Sequence, residues 1–448
     1  MFSHDRLKEM LRRGIRVVIG AQVVSQVVSL GVLAVLYRSL GPEPYGLLGM
    51  VVPLLLLVRI FITAGLDVAT VQQAELDDRQ VSALFWLNQG LGLAMAAVTV
   101  LAAPLLAWLY GVEELTLLTA ALAGTSVATA LSTQHQALLQ RKLRLGALAI
   151  VRLAALALGG VAAIAAALAG WGVWALVVQQ YVELAALALL AWLVEPWRPQ
   201  LTIRIEPIKK LVHFGGHYTL SSLMFYLTAN ADKVLVGAVL GPRALGLYSQ
   251  AFGLMMKPVH VVITPLTGVM LPGLSRAAAD RHQYGELMLG FFRFISLIML
   301  PTGVGLAIVA SEAMRVLGGP QWAEAGPLLA ILSIAILVQG FFNALGSVLA
   351  SAGRADRLFQ GSAAVAIVLS AAFVVGLKLG QIWGRPLEGV ALSYSLTMLL
   401  VIFPPYLLFC LRTVGVSARR WLDQLRTSAP ASLAMGLIVY ACHYFFPA

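Results

Sequence analysis

Thirteen long apolar stretches separated by short connectors dominate this 448-residue chain. They run over 14–36, 46–66, 81–109, 115–134, 147–168, 171–194, 214–240, 244–275, 286–311, 324–350, 358–380, 387–411 and 428–446. A helix needs roughly 20 apolar residues to cross the hydrocarbon of a bilayer. Several stretches exceed that length, so tilt or kinks are expected. They are too long and too continuous for the alternating strands of a barrel. Composition closes the soluble alternative: 60% of residues are hydrophobic and 11% charged, against about a quarter charged in soluble domains. The fold class that remains is all-α, a polytopic transmembrane helical bundle.

The net charge of +11 would suggest nucleic acid in a soluble protein. Here the basic residues sort by side of a membrane. With the N-terminus inside, the inner connectors hold 22 of the 31 Lys and Arg residues. The outer side holds five: Arg38, Arg243, Arg315, Lys378 and Arg385. The remaining four, Arg59, Arg152, Lys233 and Lys257, fall within spans, as do Arg16, Arg293 and Lys378, which are assigned to the side they lie nearest. Basic residues stay cytoplasmic, so we expect a multi-pass protein of the inner (plasma) membrane, its N-terminus cytoplasmic, with no nucleic-acid partner. The basic N-terminus resembles the start of a signal peptide. The apolar run after it exceeds 20 residues without a clear cleavage signal, so it reads as a permanent span. Trp108, Trp171, Trp192, Trp197, Trp322 and Trp383 lie near span ends, where indoles favour the interface. Segments 135–146, 203–213 and 412–426 look amphipathic and are expected along the inner leaflet, beside the headgroups of membrane lipids. Cys410 and Cys442 have no metal-ligand spacing and are expected to form no disulfide.

One motif occurs twice. Residues 40–47 read LGPEPYGL and residues 240–247 read LGPRALGL, both of the form L-G-P-x-x-x-G-L. Each copy follows the first helix of a half, on the outer side. Equivalent points lie six spans apart, so the halves share one orientation and are related by a pseudo-twofold along the membrane normal. The expected organisation is a six-helix bundle over 1–200, a second over 201–411, and an amphipathic segment plus one extra helix over 412–448. Two bundles that rock about a central cleft perform transport by alternating access.

Ionisable groups at membrane depth are costly and point to a cavity. Arg59 lies in span 2, and the 200-residue repeat carries it to within two residues of Lys257 in span 8. A cation in each half suits an anionic substrate such as a phosphate; the alternative for each is snorkelling or an ion pair. In span 7, Tyr226, Asn230 and Lys233 share one face, with Asp232 beside them. Glu183 sits mid-span after Gln179 and Gln180; it reads either as a proton carrier or as a static partner for Arg59. Softer polar stripes occur at Gln22, Gln26 and Ser29, at Asn88 and Gln89, and at Gln339, Asn343 and Ser347; interhelical hydrogen bonds explain these equally well. Pro258, Pro265 and Pro272 in span 8 free backbone carbonyls, for a site or only for packing. Arg152, near an inner span end, is expected to snorkel. The candidate substrate-binding residues are therefore Arg59, Lys257, Asn230, Lys233, Gln22, Gln26 and Asn88, and the candidate ion-coupling residues are Asp232 and Glu183. The sequence has no G-x-x-x-x-G-K-[ST], H-E-x-x-H or G-x-S-x-G motif and no loop longer than roughly 20 residues. No enzyme activity, cofactor or metal is expected.

LGPEPYGLLGM (40–50), the run from Ala64 through Gln72, LFWLNQGLG (84–92), NADKVLVGAVLGPRALGLYSQAF (230–252), MLPGLS (270–275) and GGPQW (318–322) together resemble the polysaccharide-export flippases of the oligosaccharide/polysaccharide transporter family. That family lies within the multidrug/oligosaccharidyl-lipid/polysaccharide superfamily. The resemblance covers nearly the whole chain. It implies movement of a lipid-linked oligosaccharide, on undecaprenyl diphosphate, from the cytoplasmic to the periplasmic leaflet through a cationic cavity. Arg59 and Lys257 would then meet diphosphate or acidic sugar, ion coupling would fall to Asp232 and Glu183, and a polysaccharide polymerase and glycosyltransferases would be partners. The family usually has twelve or fourteen spans against thirteen here, so either a final helix is missing or 428–446 is an atypical tail. Competing readings are an ion-coupled drug or metabolite antiporter of the same superfamily, a membrane glycosyltransferase or ligase, and a scaffold. Arg59 and Lys257 disfavour a cationic drug, and the short outer loops disfavour an enzyme.

Overall fold

A bilayer interior supplies no hydrogen-bond partner, so a spanning chain must satisfy its backbone within helices. The computed structural model describes residues 4–63, 65–73, 76–201, 209–278 and 280–445, and among these there are helices and no strands. The apolar stretches become α1 His4–Leu40, α2 Pro42–Thr63, α4 Asp78–Tyr110, α5 Glu114–Leu122 with α6 Gly124–Arg141, α7 Leu145–Leu168 and α8 Trp174–Val194. They continue as α9 Lys209–Ala277, α10 Arg281–Gly318, α11 Ala325–Ser351, α12 Ala355–Ile382, α13 Pro386–Leu396 with α14 Phe403–Val414, and α16 Ser428–Phe445. Two short helices, α3 Leu66–Gln72 and α15 Ala418–Asp423, complete the order. Among the described residues, eleven helical segments are long and apolar enough to cross a membrane. The count differs from thirteen for two reasons. Stretches seven and eight both fall in α9, and the apolar part of α16, Ser428–Cys442, is shorter than the rest.

Local chemistry sets the helix ends. Asp77 and Gln80 form a reciprocal capping box at the start of α4, with Gln80 N–H donating to Asp77 Oδ1 at 2.6 Å. Asp280 caps α10 through the N–H groups of His282 and Gln283. Between α13 and α14 the chain widens into a π turn, Thr397–Ile402. Pro404 and Pro405 follow it and lack the N–H groups that would pair with the carbonyls of Leu400 and Val401. The prolines of α9 behave otherwise: Pro258, Pro265 and Pro272 lie within helix, and the one non-helical residue inside α9 is Gly241.

The two copies of the repeated motif share a positive φ at their first glycine. Gly41 and Gly241 adopt φ of 69° and 82°, values that favour glycine, and each precedes a proline. Gly46, the second glycine of the first copy, lies against Pro242 of the second; a Cβ there would overlap the Pro242 carbonyl.

The chain divides into two compact units, Met1–Leu245 and Gly246–Ala448. In the first, α7 packs against α1 and α8, and α4 packs against α6. Gly159 permits the approach of α8: a Cβ there would sit 2.8 Å from Glu183 Cβ and 3.0 Å from the Gln179 carbonyl oxygen. In the second, α10 packs against α11 and α16, and α12 packs against α13. Ser428 donates to Ser296 at 2.9 Å, which ties α16 to α10.

Three expectations need correction. Segment 135–146 is not a separate amphipathic stretch at its start: residues up to Arg141 continue α6, and His135, Ala137, Leu138 and Leu139 are buried. The cause is an aromatic cluster in which His135 stacks on Trp192 (4.4 Å) and meets Trp197 edge-on. Trp322 is fully buried beneath Gly318, whereas Trp108, Trp171 and Trp383 are exposed at helix ends as expected. Segment 412–426 contains α15, whose Trp421 packs against Phe341 and Phe403, and Arg420 pairs with Glu286 of α10. Residues 202–208 of the remaining segment lie outside the described residues, and from Lys209 it is helical.

Gly46→Val should lower the thermal unfolding midpoint in detergent well beyond Gly90→Val. Both sites are helical, but a Cβ at Gly90 meets nothing within 4 Å. Circular dichroism melts of the two variants test this.

Candidate functional site

A charge at membrane depth is retained where polar groups surround it. In the first unit α2, α6 and α8 enclose a cavity of about 280 Å³ that contains Arg59, Glu183, Gln180, Thr125, Ser126 and Thr129. Arg59 projects from just before the last turn of α2, four residues before Thr63. It therefore lies closer to the helix end than the stretch 46–66 implied. Its side chain is exposed to the cavity rather than packed away. Glu183 comes from the middle of α8, held near α7 by the Gly159 approach. Arg59 is within electrostatic reach of Glu183, Asp67 and Arg152. Among the described ion pairs, none joins Arg59 to Glu183. The guanidinium and the carboxylate thus line one cavity without a direct ion pair among the described residues. Asp67 lies outside the spans, in α3; burial pushes its carboxyl above the ordinary value, opposed by backbone N–H groups and by Arg59.

A second cavity of about 420 Å³ in the same unit contains Gln22 and Ser25 of α1, Gln140 of α6 and Arg152 of α7. Arg152 was expected to snorkel. Its side chain is exposed, and its Nε and Nη2 both donate to Gln136 Oε1, at 3.2 and 3.0 Å. Gln26 borders neither cavity.

Asn88 is fully buried, with both ends of its amide bonded. Nδ2 donates to the Ile62 carbonyl at 2.7 Å, and Oδ1 accepts from Gln134 Nε2 at 2.8 Å. Thr70 in turn donates to Gln134 Oε1 at 2.8 Å. This network joins α2, α3, α4 and α6, and Gln134 and Thr70 had not stood out in the sequence. Asn230 and Asp232 are buried in α9. Lys233 donates to Asn230 Oδ1 at 3.2 Å, and Tyr226 donates to the Pro53 carbonyl of α2. Lys257 is half-buried in the second unit. The structure therefore brings Arg59 and Glu183 together, places Gln22 beside Arg152, and gathers Asn230, Asp232 and Lys233 on α9. Sequence reasoning missed Thr125, Ser126 and Thr129, although their helical spacing on one span was available.

Comparison with known proteins locates this architecture. The family model described as polysaccharide biosynthesis protein matches residues 35–327. The teichuronic acid biosynthesis protein TuaB of Bacillus subtilis is 27% identical over 327 residues, covering 72% of this chain and 68% of its own length. The lipopolysaccharide biosynthesis protein WzxC of Escherichia coli is 23% identical over 426 residues, covering 91% and 82%. Among solved structures, the lipid II flippase MurJ in an inward closed conformation superposes with a TM-score of 0.71 at 15% identity, over 94% of this chain and 91% of that one. An inward-facing multidrug resistance transporter gives 0.64 at 14% identity, over 89% and 100%. At these identities the structural likeness establishes the fold.

Asn88→Leu should cost about 1 kcal/mol or more, because it strands the buried Gln134 amide and the Ile62 carbonyl. The readout is a lower unfolding midpoint in detergent without any substrate present.

Proposed function

Because this chain is a multi-pass membrane protein that belongs to the polysaccharide biosynthesis protein family, we propose that it flips an undecaprenyl-diphosphate-linked oligosaccharide. The direction is from the cytoplasmic to the periplasmic leaflet of the inner membrane, with the N-terminus cytoplasmic. The observation that carries this reading is the Arg59 cavity within a chain of that family. A diphosphate needs a cation in a protected space, and guanidinium offers a paired donor set for phosphate oxygens. The hydroxyls of Thr125, Ser126 and Thr129 and the Gln180 amide supply neutral hydrogen bonds for sugar.

The mechanism needs no covalent step. Two bundles, 1–200 and 201–411, alternate the access of a central path, with 412–448 as an accessory segment. Arg59 is the anion contact of the first bundle, and Lys257 is its counterpart in the second by the 200-residue repeat. Glu183 shares a cavity with Arg59. A proton or cation at Glu183 strengthens the hold of Arg59 on an anion, and its loss weakens that hold, which couples ion movement to release. Asp232, buried beside the Asn230–Lys233 pair, is a second coupling position. Gln22 and Gln26 of α1, with Asn230 and Lys233, contribute polar contacts along the path. Asn88 supports the path by fixing α4 against α2 and α6. Polymerase and glycosyltransferases act before and after the flip as partners. A multidrug transporter of the same fold favours ion-coupled antiport as the second reading; a cationic drug would be repelled by Arg59.

In proteoliposomes carrying undecaprenyl-diphosphate oligosaccharide, glycan should become accessible to an external probe in a protein-dependent way. Arg59→Ala and Lys257→Ala should each reduce that rate at least tenfold. Full activity in both variants would remove the site, and no flipping by folded wild type under any ion gradient would remove the function.

A further inference from the structure

The two cavities of the first unit are joined by one face of α6. Thr125 and Thr129 line the Arg59 cavity, and Gln140 lines the Arg152 cavity. Ser132 and Gln136 lie between them, and the spacing of all five, by threes and fours, puts them on one stripe. The stripe is hydrogen-bonded from Gln136 to Thr125. Gln136 Nε2 donates to Ser132 Oγ at 3.1 Å, Ser132 Oγ donates to the Thr129 carbonyl at 3.1 Å, and Thr129 Oγ1 donates to the Thr125 carbonyl at 2.8 Å. At 1.5 Å per residue, the track is about 22 Å long.

Gln136, at the lower end of this track, fixes the orientation of Arg152. Its single carboxamide oxygen takes the Nε and Nη2 donors. The rest of the guanidinium fork stays available to another acceptor. The described residues lining the Arg152 cavity include no acid, and its other polar groups are the side chains of Gln22, Ser25 and Gln140. Its walls are aliphatic, from Val18, Leu145 and Leu148 among others. A cation oriented by a neutral amide, without a counter-ion in its cavity and walled by aliphatic side chains, matches an amphiphile with an anionic head.

We propose that the Arg152 cavity is a binding site for a lipid-borne phosphate, from which the head group passes along the α6 stripe to Arg59. The proposal rests on the flippase reading for the identity of the transported lipid. The phosphate would take hydrogen bonds from the open edge of Arg152 and from the Gln22, Ser25 and Gln140 side chains. The chain would lie along α1 and α7.

Native mass spectrometry of the full-length protein in detergent tests this with three named probes: undecaprenyl diphosphate, phosphatidylglycerol and inorganic pyrophosphate. Wild type should bind undecaprenyl diphosphate saturably. Arg152→Gln should weaken it on the order of tenfold, with Arg152→Lys recovering part of the loss. Gln136→Leu should weaken it as well, through lost orientation of Arg152. The unfolding midpoint of each variant, measured alongside, separates lost binding from lost fold. Pyrophosphate should bind far more weakly than the lipid, because the aliphatic wall contributes nothing to it. An equal loss for phosphatidylglycerol would make this a general phospholipid site and overturn its assignment to the transported lipid. Unchanged affinity for undecaprenyl diphosphate in a folded Arg152→Gln protein would overturn the proposal outright. The glycan-flipping assay is independent of that outcome, so it shows separately whether the flippase reading stands.

Discussion

An arginine in a membrane span demands surroundings that substitute for water, and that demand organises the first unit. Arg59 is kept where α2, α6 and α8 leave a cavity lined by a carboxylate, an amide and three hydroxyls. Building it requires α8 to approach α7 closely at Gly159. It also requires α2 and α4 to be held in register, which the Asn88 bonds to Ile62 and Gln134 provide. Neutral groups dominate the lining, so the positive charge is accommodated without being cancelled. A fully ion-paired arginine would have little left for a ligand.

Helix termini and close contacts complete the frame. The left-handed glycines at 41 and 241 turn the chain before a proline that starts the next helical segment. Gly46 then lets α2 approach the Pro242 carbonyl, where any side chain would collide. Toward the other end of the first unit, buried Glu195 is paired with Lys142 at 2.6 Å, while His135, Trp192 and Trp197 form an aromatic packing unit. These contacts fix α6 and α8, the two helices that contribute most of the polar lining of the cavity.

Much of this was legible in the sequence because bilayer physics acts on composition. The apolar stretches became helices, and the first glycine of each motif copy took a positive φ before its proline. Arg59 and Glu183 each stood out as charges at depth, yet only the fold places them in one cavity. The α6 stripe escaped notice because threonine and serine hardly lower the hydropathy of a span. Their spacing carries the information, and it gains meaning only once α7 presents Arg152 to Gln136. Trp322 was read as interfacial and segment 135–146 as lying along the leaflet because residues near a span end fit either an interface or a packed interior. The choice is made by tertiary neighbours such as Gly318 and Trp192.

The central claim is that an anionic lipid head group occupies the Arg59 cavity. A cryo-electron microscopy structure with undecaprenyl-diphosphate oligosaccharide bound tests it most directly. The account predicts phosphate density within hydrogen-bonding distance of the Arg59 guanidinium, with sugar density toward the α6 hydroxyls. A bound glycolipid whose phosphates lie elsewhere, with Arg59 paired to Glu183, would contradict it.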